Sequence, residues 1–83
     1  MKKELEEHGI ELRERMYKFI IKYISENGYA PTVRELGQAV GIAISRVKHH
    51  LMKLEIEGRI KVKPNSPRAI NVIGYKYVKE VKQ

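Results

Sequence analysis

The chain has 83 residues, no cysteine and a formal net charge of +7. A chain of this length forms one small domain, whose modest core leaves little room for an enzyme cleft. Without cysteine it can form neither a disulfide nor a thiolate metal site. Its apolar residues make up 42% of the chain, yet they form neither a membrane-spanning run nor the apolar core of a signal peptide.

The positive charge is concentrated in the second half of the chain. Residues 1–42 contain seven lysines and arginines and seven glutamates, whereas residues 43–83 contain ten lysines and arginines and three glutamates. The excess of +7 therefore lies entirely after residue 42. A one-sided positive field of this kind is typical of proteins that bind nucleic acid.

The first predicted element is an amphipathic helix from residue 10 or 11 to residue 27, where Asn27-Gly28 is a stop signal. Its apolar residues recur at helical spacing and are Leu12, Met16, Phe19, Ile20, Tyr23 and Ile24. Its solvated face is expected to carry Arg13, Glu14, Lys18 and Lys22. Residues 1–9 are expected to be a flexible, partly helical extension.

Two further helices are predicted on either side of a tight turn. Thr32 precedes a short helix over residues 33–40, and Glu35 completes a capping box with it. Gly41 can adopt the positive φ that ends a helix. The third helix, residues 44–57, has an apolar face of Val47, Leu51 and Leu54. This arrangement is typical of a helix-turn-helix, a motif whose second helix enters the major groove of DNA, although any helical hairpin also has one solvated face.

The opposite face of the third helix carries cations and hydrogen-bonding groups. The residues predicted to read bases are Ser45, Arg46, Lys48 and His49. They lie in the N-terminal part of the helix, which penetrates deepest into the groove. Arg46 is the best candidate for a bidentate contact to guanine. His50 lies at the edge of the apolar face, where a packed structural role is expected.

After Gly58 the apolar period changes from helical to alternating. Ile60 and Val62 precede a turn cluster at residues 64–67, and Ile70 and Val72 follow it, which predicts a β-hairpin. The predicted fold class is therefore α+β, a winged helix-turn-helix with three helices and a two-stranded wing (residues 59–73). Residues 74–83 fit neither period, and a flexible tail is expected there.

Phosphate contacts should supply most of the affinity, with the wing on the DNA backbone or in the minor groove. The residues predicted to make these contacts are Thr32, Arg34, Lys53, Lys61, Lys63 and Arg68.

Three blocks of the sequence resemble the N-terminal DNA-binding domain of LexA repressors. Residues 28–42, GYAPTVRELGQAVGI, resemble the Gly-Tyr-x-Pro-Ser/Thr-x-Arg-Glu run that leads into the first helix of the motif. Residues 50–58 resemble the end of that family's recognition helix, and residues 67–70 resemble its wing. The resemblance covers about residues 11–73. It implies a winged-helix repressor domain that binds an inverted repeat as two copies.

Two departures from the family limit what the resemblance implies. The turn at residues 41–45 is one residue shorter than in typical members. No Ala-Gly cleavage site follows, and no later segment supplies the Ser and Lys of the family's self-cleaving peptidase. Induction by self-cleavage is therefore not expected of this chain.

The sequence thus predicts a single domain over residues 1–83, with its core at about 11–73. It should bind duplex DNA sequence-specifically as a transcriptional regulator, without cofactor, metal or catalytic activity, in the cytoplasm and near the nucleoid. A winged-helix module that docks proteins is one alternative, although such a module would have an apolar outer face. Recognition of RNA or of an unusual nucleic-acid structure is the other.

Overall fold

The computed structural model describes residues 2–74, and the side chains of residues 9–74. Its helices are α1 (Lys2–Asn27), α2 (Val33–Val40) and α3 (Ile44–Ile56), and its strands are β1 (Ile60–Val62) and β2 (Ile70–Val72). The strands pair antiparallel, with Ile60 opposite Val72 and Val62 opposite Ile70. The predicted α+β winged helix-turn-helix is therefore confirmed. Apart from Gly74, the predicted tail lies outside the described residues.

Helix α1 begins at Lys2, well before the start expected at residue 10 or 11. Lysine, glutamate and leucine favour helices, and an interior glycine such as Gly9 costs only about 1 kcal/mol relative to alanine. The apolar periodicity marks only the part of α1 that faces the core, which begins at Leu12 among the described side chains. The predicted start at residue 10 or 11 therefore lies near the start of the buried face, whereas the helix itself begins at Lys2. No helix in the described part of the chain is long and apolar enough to cross a membrane.

The predicted ends of α2 are confirmed in detail. The backbone N–H of Glu35 donates to Thr32 Oγ1 at 3.0 Å, and the backbone N–H of Thr32 donates to Glu35 Oε1 at 2.9 Å. Gly41 ends the helix in the left-handed region, at φ 77°. Its N–H donates to the carbonyl of Gly37 at 2.8 Å. Local sequence therefore determines both ends of this helix.

The three helices and the hairpin share one apolar core. Its fully buried members come from every helix and from β1, and they include Met16, Ile20, Ile24, Leu36, Val47, Leu54 and Ile60. Gly37 allows α2 to approach the turn and α3 closely. A Cβ added there would lie 3.0 Å from the carbonyl oxygen of Ile42 and 3.3 Å from Val47 Cγ2. Gly37 therefore permits the close packing of α2 against the turn and α3.

Arg59 ties the base of the wing to α1. Its guanidinium donates to both carboxylate oxygens of Glu14, with Nη2 at 3.0 Å from Oε1. The same group lies over the ring of Tyr17, 4.0 Å from the ring centroid. The hydrogen bond from Arg59 lowers the pKa of Glu14 below its ordinary value. Glu14 is therefore part of a contact between elements, and its expected place on a wholly solvated face was wrong.

Candidate nucleic-acid interface

Helix α3 has one buried and one exposed face. Val47, His50, Leu51 and Leu54 are buried against the rest of the domain. The four candidates for base readout are all exposed on the same helix: Ser45, Arg46, Lys48 and His49. The α3 backbone therefore holds these side chains on an outward surface, and its packed side keeps that surface in a fixed orientation.

The outward face becomes apolar towards the end of α3. Met52 is 48% exposed and Ile56 is 73% exposed. Both lie on the same face of the helix as Ser45 and His49, because the spacing between successive members of this set is three or four residues. An apolar side chain in the major groove contacts the methyl group of thymine. Helical spacing from Ser45 and His49 is the sequence signal for Met52, which was not among the predicted base-reading residues.

The two neighbouring histidines of α3 have different environments. His49 is exposed, whereas His50 is only 4% exposed. Arg13 Nε donates a hydrogen bond to His50 Nδ1 at 3.3 Å. Burial, followed by the nearby charge of Arg13, lowers the pKa of His50. His50 is therefore a neutral packed residue, as predicted, and Arg13 is drawn away from the solvated face on which it was expected.

Four of the six predicted phosphate contacts are cations on the surface: Arg34, Lys53, Lys61 and Lys63 are exposed. Thr32 is half-buried, and its oxygen accepts the capping bond from Glu35. A hydroxyl that accepts one bond still has its proton to donate. Thr32 can therefore cap α2 and donate to a phosphate oxygen at the same time.

Arg68, the sixth candidate, is exposed, but its guanidinium is paired with other groups of the protein. Its Nη1 lies 2.9 Å from Glu35 Oε1, and its Nη2 lies 3.1 Å from Glu35 Oε2. Nη1 also donates to the carbonyl of Ala30 at 2.8 Å. The hydrogen bond from Arg68, followed by that from the Thr32 N–H, lowers the pKa of Glu35 to about 2. Arg68 is therefore not the free outward cation that the sequence suggested.

The ion pairs divide the cations of α3 and the wing into two groups. Arg59 and Arg68 are paired with Glu14 and Glu35. The others are Arg46, Lys48, Lys53, Lys61 and Lys63, and none of these forms an ion pair with another described residue. The positive surface of the described domain therefore includes the outward face of α3 and the β1 side of the wing.

The described residues beside this surface form an open cleft, and they contain no cluster of metal ligands. Among residues 9–74, no three histidines, aspartates or glutamates are grouped so as to hold a metal ion. An open cleft of about 240 Å³ lies beside the start of α3, with Arg15 and Arg46 in its wall. It is smaller than the roughly 300–1,000 Å³ of ordinary small-molecule sites. The arrangement is thus an exposed basic surface suited to a large anionic partner.

Comparison with known proteins agrees with the resemblance to the DNA-binding domain of LexA repressors. The family model described as LexA DNA binding domain matches residues 11–69. A LexA repressor of Carboxydothermus hydrogenoformans is 41% identical over 68 residues, which are 81% of this chain and 33% of that protein. A LexA repressor of Bacillus mycoides is 51% identical over 57 residues, which are 68% of this chain and 28% of that protein.

A LexA repressor of Listeria welshimeri is 48% identical over 59 residues, 70% of this chain and 29% of that protein. The chain thus spans about a third of the length of the curated relatives that it matches. The matched region contains α2, α3 and β1, which form most of the helix-turn-helix and its wing. The chain belongs to the LexA DNA-binding domain family.

Proposed function

We propose that this domain binds double-stranded DNA sequence-specifically and regulates transcription, as a repressor. Helix α3 enters the major groove, and the wing lies on the backbone or in the minor groove. The observation that carries the proposal is the exposed, cationic first half of α3, held by a fully packed opposite face in a domain of this family. Membership of the family supports the same function.

Readout of bases is assigned to the first half of α3. Ser45, Arg46, Lys48 and His49 would contact base edges, and Arg46 would form a bidentate contact to guanine. Met52, one turn further along the same exposed face, would contact a thymine methyl group. Contacts to phosphates are assigned to Thr32 and to the exposed cations Arg34, Lys53, Lys61 and Lys63. These contacts would supply affinity and register without specifying sequence.

The operator is proposed to be an inverted repeat bound by two copies of the domain. A single module buries only about 600–1,000 Å² against DNA, so a half-site should bind weakly and two half-sites should be needed. Helix-turn-helix proteins read such sites at a fixed spacing of about one helical turn or a multiple of it. A repressor of this kind would act in the cytoplasm, associated with the nucleoid.

The proposal assigns base readout to α3 and phosphate contacts to the wing, and replacements in the two elements test it. Arg46→Ala should weaken binding to a selected duplex by about 1–3 kcal/mol and relax specificity at one base pair. Lys63→Ala should weaken cognate and random duplexes by similar factors, because phosphate contacts do not depend on sequence. Lys22→Ala, on the exposed face of α1, is the matched control for removal of a charge.

Affinity for each variant would be measured by fluorescence anisotropy, after selection of sites from a random duplex library. Equal losses on cognate and random DNA for Arg46→Ala would refute the placement of the recognition helix. Tighter binding to RNA or single strands than to any duplex would favour the alternative of RNA or structure recognition. Failure to bind any nucleic acid would favour a protein-docking module.

A further inference from the structure

We propose that Arg68 and Glu35 form a positioning pair that holds the wing against the helix-turn-helix, and that Arg68 does not bind phosphate. This inference rests on the proposed DNA binding, which it refines by assigning a different role to one residue of the wing.

The guanidinium of Arg68 contacts several groups of the protein at once. Its guanidinium makes two parallel hydrogen bonds to the carboxylate of Glu35, at 2.9 Å and 3.1 Å. The same group reaches the carbonyl of Ala30 at 2.8 Å and lies over the ring of Tyr29, 4.6 Å from its centroid. A single exposed ion pair contributes little, but a bidentate arginine in a network is the exception. These two further contacts orient Arg68 towards the connector before α2.

Glu35 is itself held in place at the start of α2. Its Oε1 accepts the N–H of Thr32 at 2.9 Å and the hydroxyl of Tyr23, on α1, at 3.1 Å. The partner of Arg68 is therefore a carboxylate whose orientation is set by the N-cap of its own helix and by Tyr23 of α1. The pair links the turn of the wing to the N-terminus of α2, and through Tyr23 to α1.

The wing needs such an anchor because its hairpin is short. Each strand has three residues, and a two-stranded hairpin is marginally stable by itself in water. Arg59 secures the base of the wing to α1, next to the pair of Ile60 and Val72. Arg68 secures the opposite end, beyond the pair of Val62 and Ile70. Two arginines thus fix both ends of the hairpin to the helices.

Fixing the wing would favour DNA binding by preorganisation. A wing that moves in the free protein must be ordered on the DNA, and that ordering reduces affinity. Meanwhile the charge of Arg68 is already balanced by Glu35. Arg68 should therefore affect affinity through the position of Lys61 and Lys63, and should contribute nothing to the release of counterions.

Replacement of Glu35 distinguishes a positioning role of Arg68 from a phosphate-binding role, because the two roles predict opposite changes in affinity for DNA. Glu35→Gln keeps an oxygen for the capping box, because glutamine is accepted at that position, but it removes the charge that holds Arg68. A positioning pair predicts about threefold to tenfold weaker binding to the selected duplex. A phosphate-binding Arg68 predicts tighter binding, because the variant frees one cation and removes one anion.

Two replacements of Arg68 complete the test. Arg68→Lys keeps the charge but not the bidentate geometry, so it should weaken DNA binding by about the same factor as Glu35→Gln. The double variant should lose no more affinity than either single variant. Arg68→Ala should leave the log-log slope of affinity against salt unchanged. The comparison variant Lys63→Ala should make that slope shallower by about 0.9, the value for one phosphate contact.

Hydrogen exchange gives a readout that is independent of DNA. The amide of Lys63 donates across the wing to the carbonyl of Ala69 at 3.0 Å. In Arg68→Lys and Glu35→Gln it should exchange at least about threefold faster, while the amides of α1 and α3 keep their rates. Wild-type affinity for Arg68→Lys, tighter binding for Glu35→Gln, or a shallower salt slope for Arg68→Ala would overturn the inference. If the wild-type domain binds no duplex, the proposed function fails, while the exchange experiment still tests the pair.

Discussion

Alanine should stabilise the domain at Gly9 in α1 but not at Gly37 in α2, although both glycines are helical. Each replacement removes the conformational cost of glycine in a helix, about 1 kcal/mol. At Gly9 the new methyl group would meet only His50 Cε1, at an ordinary 3.9 Å. At Gly37 it would lie 3.0 Å from the carbonyl oxygen of Ile42 and 3.3 Å from Val47 Cγ2.

Neither neighbour of Gly37 is free to move away. The carbonyl belongs to the turn between Gly41 and α3, and Val47 is fully buried. Overpacking of this kind costs typically 1–3 kcal/mol, which equals or exceeds the gain in helix propensity. Gly9→Ala should therefore stabilise the domain by up to about 1 kcal/mol, whereas Gly37→Ala should be neutral or destabilising by up to about 2 kcal/mol.

The measurement is the free energy of unfolding of the two variants in urea, supported by thermal melts. For a domain of this size, 1 kcal/mol corresponds to roughly 4–8 °C in Tm. The Gly9 variant should melt above the wild type, and the Gly37 variant at or below it. Equal stabilisation by both replacements would show that α2 and the turn are not packed as closely as described.

Two further predictions concern pH and assembly. Because the pKa of His50 is lowered in the fold, its neutral form contributes full stability above its ordinary pKa of 6.5, and that stability is lost as the pH falls below this value. The urea concentration at the midpoint of unfolding should thus be lower at pH 5.5 than at pH 7.5. This difference should be smaller in His50→Gln and unchanged in the control His49→Gln. Separately, the domain should sediment as a monomer at micromolar concentration and pair only on an inverted repeat, and a stable dimer in the absence of DNA would contradict this.

The features that the sequence predicted well depend on neighbouring residues. The capping box of Thr32 and Glu35, the stop at Gly41 and the alternating strands of the wing all have local patterns. The exposure of Ser45, Arg46, Lys48 and His49 follows from the apolar period of α3. Their assignment as base-reading residues remains a prediction.

The contacts that were missed join residues far apart in the chain. Arg13 and His50 are separated by 37 positions, Glu14 and Arg59 by 45, and Glu35 and Arg68 by 33. Arg13 and Arg68 were predicted to be surface cations, because no local pattern shows which glutamate or histidine will face an arginine. The compositional count of positive charge therefore overstated the number of cations available to DNA.

If this domain binds duplex DNA through the exposed face of α3 and the wing, its affinity for DNA should depend strongly on both sequence and salt. The dissociation constants of a selected duplex and a shuffled duplex would be measured over a range of salt concentrations. The selected duplex should bind more tightly at every salt concentration. The log-log dependence of affinity on salt should be steep, with a slope of about −0.9 for each phosphate neutralised. Equal affinity for the two duplexes, or a nearly flat dependence on salt, would refute DNA binding by this surface.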